Sequence, residues 1–223
     1  MMSNLTLIIP AKNEKESLPI VIEKIKKFDH RITVSLKEDD KETIDSIKNI
    51  SNIKIFFQSG KGYGNSLNEA INSCKTKYFC IFNADGSFDP NDLIKMYNLI
   101  ENNDFVFTSR YKYPGGSEDD TFITYIGNQI FSKLGNLFFS LSISDILYTY
   151  LMGNTESFKK LNVESNDFRF CVELPIKMQV SEMKYICIPS YEKKRIAGKK
   201  KVAAFKDGFL ILLEMMRLFL IFK

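Results

Sequence analysis

Residues 78–82, Tyr-Phe-Cys-Ile-Phe, are apolar on both faces of a would-be strand, and they run directly into Asn83-Ala84-Asp85-Gly86-Ser87 and then Pro90. No other feature constrains the chain as tightly. A strand hydrophobic on both faces needs cover on both sides, the situation of a central strand in a parallel sheet layered between helices. Small oxygen-bearing side chains at its carboxyl end stand where such sheets bind ligands. Asn83, Asp85 and Ser87, two residues apart, are oxygen ligands suited to a hard divalent cation, Mg2+ or Mn2+, that also holds phosphates. The same residues equally suit an Asx-type turn.

The first half of the chain repeats this unit. Strand-length apolar runs at 5–9, 31–36, 53–57 and 104–109 alternate with helical stretches at 18–27, 41–49, 65–74 and 90–102. Ser17 is placed to cap the first helix and Pro19 sits just inside its start. Such alternation predicts an α/β, doubly wound, mainly parallel sheet. The second half is less regular. It predicts a long helix over 122–141 capped by Thr121, a strand over 144–152, a helix over 171–182, a strand over 184–189, a basic loop over 190–201 and a closing helix from 203. On the long helix Ile123, Ile126, Ile130, Leu134, Leu137 and Leu141 form a stripe expected to face the core. No linker divides the chain, which reads as one catalytic domain over 1–204 followed by an apolar or amphipathic helix over 205–223.

Composition excludes several classes. A net charge of +4 across 223 residues is too small and dispersed for nucleic-acid binding. The cysteines at 74, 80, 171 and 187 have no metal-site spacing and read as reduced core residues of a cytoplasmic protein. A single histidine, His30, leaves little room for histidine-based catalysis or zinc. The residues before Pro10 carry no charged leader, so no signal peptide is expected. No glycine-rich phosphate loop follows the first strand, which argues against a dinucleotide-binding fold and against a sugar nucleotidyltransferase.

Several segments in series resemble family 2 glycosyltransferases of the GT-A type, in particular the dolichyl-phosphate and polyprenyl-phosphate sugar transferase branch. Asn83-Ala84-Asp85-Gly86-Ser87 resembles that family's Asp-x-Asp region, with Asn83 in place of the first carboxylate. Pro10-Ala11-Lys12-Asn13-Glu14 resembles its nucleotide-binding strand exit. The resemblance implies that the backbone there and Glu14 contact base and ribose. The acids that hold the nucleoside fall at Glu38 or Asp39. Lys61-Gly62-Tyr63-Gly64 resembles a Lys-Gly-x-Gly segment in which glycines let backbone approach a diphosphate. Ser109-Arg110-Tyr111 resembles the segment whose arginine holds an acceptor phosphate, although the loop that follows is acidic at Glu118, Asp119 and Asp120. Asp145 and Phe170…Glu173-Leu174 match acceptor-side positions. Arg195-Ile196-Ala197-Gly198-Lys199 resembles a loop that closes over the donor diphosphate, where Arg195 and Lys199 neutralise charge.

The resemblance implies inverting transfer of a sugar from a nucleotide diphosphate sugar, with a divalent cation at Asp85, Asn83 and Ser87. The acceptor is a polyprenyl phosphate or a sugar hydroxyl of a glycan. A phosphate is already nucleophilic, whereas a hydroxyl needs a base, for which Asp145 and Glu173 are the candidates. A catalytically degenerate nucleotide-binding homologue is the other implied class. In the closing helix Lys206, Asp207, Glu214 and Arg217 share one strip. Its uncharged part covers about 21 Å at 1.5 Å per residue, too short for a bilayer core of about 30 Å. It suits a membrane-surface contact on the cytoplasmic face, packing on the domain, or a homodimer contact.

Overall fold

The computed structural model describes residues 2–28, 30–198 and 200–222. In chain order they form β1 Leu5–Pro10, α1 Leu18–Ile25, β2 Arg31–Leu36, α2 Lys41–Ile47, β3 Ile53–Phe57, α3 Tyr63–Asn72, β4 Tyr78–Ile81, α4 Asp92–Ile100 and β5 Phe105–Ser109. These are followed by β6 Gly116–Ser117, α5 Phe122–Phe139, β7 Leu151–Asn154, α6 Thr155–Lys160, α7 Phe170–Val180, β8 Tyr185–Pro189, β9 Tyr191–Glu192 and α8 Ala204–Phe222.

Seven strands make one sheet in the order β3-β2-β1-β4-β7-β5-β8, and β6 pairs with β9 beside it. All sheet contacts are parallel except those of β7, which runs antiparallel between β4 and β5. Side-chain alternation splits the core in two. Leu5, Leu7 and Ile9 turn to the face covered by α1, α2 and α4. Ile8 turns to the other face, with residues of α3, α6, α7 and α8. The order of strands reverses at β1 and β4, so a crevice opens at their carboxyl ends, where open sheets of this kind bind ligands. The Pro10–Glu14 and Asn83–Ser87 segments meet there.

Four expectations are corrected. The strand expected over 144–152 is confined to β7, because its ladder begins only where β4 and β5 present free edges. The residues before it are held by side chains instead: Tyr150 stacks on Phe88 with ring centroids 4.4 Å apart and donates to the Asp89 carbonyl. Ser17 makes no side-chain cap; its hydroxyl donates to Glu14 Oε2 at 2.8 Å. By contrast Thr121 does cap α5, in a reciprocal box with Thr124.

The third correction concerns α5. Ile123 is 63% and Leu137 73% exposed, and Ile126 and Ile130 are exposed as well, whereas Leu134 and Leu141 of the same stripe do meet the core. The helix rests on Ser132, Gly135 and Phe139 instead. A Cβ at Gly135 would stand 2.9 Å from Ile146 Cδ1, so small residues set the close approach. The fourth concerns α8, whose inner face is Ile211, Glu214, Met215 and Leu218. Glu214 is only 4% exposed and bonds Arg217 at 2.6 Å. Part of the charged strip therefore points inward. Among the described residues no helix is long and apolar enough to cross a membrane.

Candidate active site

The crevice is built from turns at two strand ends. Asp85 Oδ1 accepts from the Ser87 amide at 3.0 Å, so the Asx turn and an outward-facing carboxylate coexist. Gly86 adopts φ +81, and a Cβ there would lie 2.4 Å from Ile196 Cδ1. Glycine thus lets the basic loop close down on the turn. Two backbone bonds fasten it, Lys193 N–H to the Ser87 carbonyl and Ile196 N–H to the Asp85 carbonyl, both 2.8 Å.

The loop brings cations to carboxylates. Arg195 lies 3.6 Å from Asp85 and 2.9 Å from Asp119. Lys200 pairs with Asp119 at 3.2 Å, and Lys201 with Glu14 at 3.3 Å. Burial alone would raise the Asp119 carboxyl, but Arg195 and Lys200 outweigh it and hold the group below its usual range. Lys199 lies outside the described residues.

At the end of β1, Ala11 N–H donates to the Ser35 carbonyl, and Glu14 is buried with its amide on Thr43 Oγ1 at 3.0 Å. Asn13, at φ +53, donates its amide to Asp40 Oδ2 at 2.7 Å. Asp40 is the acid that faces this turn and also caps α2. The expected Glu38 and Asp39 are exposed, because the turn after β2 carries both past the crevice.

The glycine segment is corrected too. A Cβ at Gly62 would fall 2.1 Å from the Asn166 carbonyl oxygen, and one at Gly64 2.2 Å from that of Ser165. The Asn65 amide donates to the same Asn166 carbonyl at 2.9 Å. These glycines admit a neighbouring loop of the protein, while Lys61 is exposed.

Arg110, expected to clamp an acceptor phosphate, is held by carboxylates of the protein itself. It is buried and contacts Asp145 through Nε at 2.7 Å and Nη2 at 2.9 Å, Glu192 at 3.0 Å and Asp120 at 3.5 Å. Burial would lower its pKa, yet Asp145 and Glu192 push it further up. Tyr148 covers the guanidinium at 4.7 Å. Asp145 is therefore enclosed as the partner of Arg110.

Glu173 is corrected for the same reason. It is fully buried, accepts from the amides of Glu164 and Ser165 at 2.9 and 2.7 Å, and pairs with Lys177 at 2.7 Å. Burial raises its carboxyl, and these partners more than reverse that, leaving it below the ordinary range. It ties down the loop over α7. Arg110 itself lines a cavity of about 420 Å³, together with Tyr111, Ser117, Asp120, Tyr125 and Gln129. Sequence reasoning assigned no site role to Asp40, Asp119, Asp120 or Glu192. The acidic run at 118–120, in the loop after Ser109-Arg110-Tyr111, was the available signal for two of them.

Among the described residues no three Cys, His, Asp or Glu side chains gather as a metal centre. The set at the end of β4 is the single carboxylate of Asp85, with half-buried Asn83 nearby and the Ser87 hydroxyl buried without a partner. One carboxylate fits a cation that takes its other ligands from water and substrate phosphates.

The architecture has known counterparts. Glucosyl-3-phosphoglycerate synthase from Mycobacterium tuberculosis, solved with Mn2+, uridine diphosphate and glucosyl-3-phosphoglycerate, superposes with a TM-score of 0.72 at 11% identity, over 96% of this chain and 79% of that one. Mannosyl-3-phosphoglycerate synthase from Rubrobacter xylanophilus gives 0.67 at 12% identity, over 96% and 72%. The fold is of the GT-A type. An uncharacterized glycosyltransferase of Mycobacterium tuberculosis is 21% identical over 206 residues, 92% of this chain and 93% of its own. The profile of glycosyl transferase family 2 matches residues 6–161. The chain belongs to glycosyl transferase family 2 and is a glycosyltransferase.

Proposed function

We propose that the protein transfers a sugar, with inversion, from a nucleotide diphosphate sugar in the β1/β4 crevice to a hydroxyl group in the cavity that Arg110 lines. The observation that carries this reading is the basic loop laid over Asp85, with Arg195 between Asp85 and Asp119. Asp40, Glu14 and the turn after β1 frame the nucleoside, and Asp85 with Asn83 and Ser87 would hold Mg2+ or Mn2+. That cation would supply positive charge against the departing diphosphate. Arg195, Lys200 and Lys201 add charge from the other side once they turn from their carboxylates to the diphosphate. The Mn2+ and uridine diphosphate bound to the glucosyl-3-phosphoglycerate synthase support this donor reading.

The acceptor follows from charge. Around Arg110 stand three carboxylates, Asp145, Glu192 and Asp120, which leave the neighbourhood net negative. Such a pocket repels a phosphate monoester, so a hydroxyl of a sugar or glycan suits it better than the polyprenyl phosphate of the resembled branch. A hydroxyl must lose its proton as its oxygen bonds the anomeric carbon. Asp120 is the carboxylate that lines the cavity, while Asp145 and Glu173 are enclosed. The nucleoside diphosphate leaves from the opposite face of the sugar.

Titration calorimetry with nucleoside diphosphates tests the donor site. Wild type should bind in a Mn2+-dependent manner, and Asp85→Ala should lose that dependence. Equal affinity of both proteins in the presence of Mn2+ would rule out the assignment. Binding that depends on Mn2+ without any sugar transfer would identify a degenerate homologue.

A further inference from the structure

Two neighbouring helices, α5 and α8, turn their apolar arcs to solvent. On α8 the outward positions are Phe205, Phe209, Leu212, Leu213, Met216 and Leu220, with Phe205 86% exposed. They recur at three- and four-residue spacing and so form one continuous arc. On α5 the outward arc is Phe122, Ile123, Ile126, Ile130 and Leu137. The helices touch through Phe219, whose ring meets those of Phe138 and Phe139. The two arcs therefore belong to one surface. A soluble helix normally buries such an arc and exposes its polar side. Here α8 buries Ile211, Met215 and Leu218 with Glu214, and α5 buries Ser132, Gly135 and Phe139, and each still turns a second apolar arc outward.

Charge identifies the occupant. The exposed charged positions on the two helices are Lys133, Lys206 and Arg217, all basic. Of their two acids, Glu214 is buried and pairs with Arg217, and half-buried Asp207 accepts from the Ala203 amide at 2.7 Å. Among the described residues the unpaired excess on this face is therefore Lys133 and Lys206, and a second copy placed on it by a two-fold axis would bring like charges to the contact. An anionic lipid surface supplies both an apolar layer for the two arcs and negative headgroups for the lysines.

We infer that the α5–α8 face docks in the interface of an anionic membrane, lying on the bilayer without crossing it. Tyr125 and Gln129 line the acceptor cavity from α5 itself, so docking brings the mouth of that cavity to the lipid surface. The inference stands on the surface and not on the identity of the acceptor.

Flotation of the full chain with vesicles of phosphatidylcholine, alone and mixed with phosphatidylglycerol, tests it. Wild type should partition onto the mixed vesicles and weakly onto the neutral ones. The exposed pair Ile130→Glu and Leu213→Glu should abolish partitioning without lowering the unfolding temperature. Lys133→Gln and Lys206→Gln should each weaken it about fivefold, the effect of removing one basic residue near an anionic surface. Failure of wild type to float with the mixed vesicles would overturn the inference. So would unchanged partitioning of the double variant, or a dimer in sedimentation equilibrium that the double variant converts to monomer while lipid is ignored.

Discussion

Two arginines expected to meet phosphates, Arg110 just after β5 and Arg195 on the basic loop, behave as opposites in the fold. Arg110 leaves β5 directly into the interior and is held by three carboxylates from segments far apart in the chain. Arg195 sits on a loop, partly exposed, 3.6 Å from Asp85 and paired chiefly with Asp119. The first is a fixed internal cross-link between β5, the segment before β7 and β9. The second holds the place of a positive charge that a ligand can rearrange. A guanidinium beside a binding site reports an anionic ligand only when its donors are free to turn to it.

This contrast breaks first on stability. Arg110→Ala leaves Asp145 and Glu192 buried without a counter-charge, which should cost about 3–5 kcal/mol. Urea denaturation measures it. A small loss, with weakened acceptor use instead, would return Arg110 to the role of a ligand clamp. Arg195→Ala should cost less stability, because Lys200 stays on Asp119 as a counter-charge, while lowering transfer about 100-fold. Steady-state kinetics beside the denaturation curves separate the two arginines, and similar profiles would erase the distinction.

The acceptor side sharpens the same comparison. Asp120 touches Arg110 only at 3.5 Å and lines the cavity, whereas Asp145 holds Arg110 through two bonds in the interior. Asp120→Asn should lower kcat by about 100-fold, the loss expected of a general base, with donor binding unchanged. An Asp120→Asn enzyme of normal kcat would leave the hydroxyl-acceptor reading without a base.

Much of this was legible in the residues. The alternation of doubly buried strands with helices fixes a parallel sheet, and the run before Asn83 marks its ligand-binding edge. β7 was misjudged in extent because its pairing depends on edges that β4 and β5 create, which no local pattern announces. The stripe on α5 has the period of a helix, but periodicity does not say which side faces the core. Gly135 and Ser132, which let the helix approach through its small face, were the overlooked sign. The partners of Arg110 and Arg195 lie up to 110 residues away, from Asp85 to Arg195, so the acidic loop read as an obstacle to phosphate when it is the counter-charge of the basic loop. The missed Asp40 carried a local sign, standing three residues before Thr43 as an N-cap does.

The smallest expected effect concerns how firmly the basic loop is held. Asp119 receives Arg195 and Lys200 together, and among the described residues no other carboxylate takes both. Asp119→Asn should therefore loosen the loop while leaving the sheet intact. Released cations meet an incoming diphosphate without first breaking their bonds to Asp119, so nucleoside diphosphate affinity should rise a few-fold. Hydrogen exchange of the amides in 193–198 reads the loosening directly. Its pH dependence has a definite sign. The Asp119 carboxyl is held below its usual range, so its contribution is complete above about pH 4, the ordinary aspartate value. It then fades as pH falls through the depressed value. The difference in exchange between wild type and Asp119→Asn should be full at neutral pH and shrink on strong acidification. A difference that persists in acid, or weaker diphosphate binding by the variant, would mean that Asp119 positions the loop for the donor and does not compete with it.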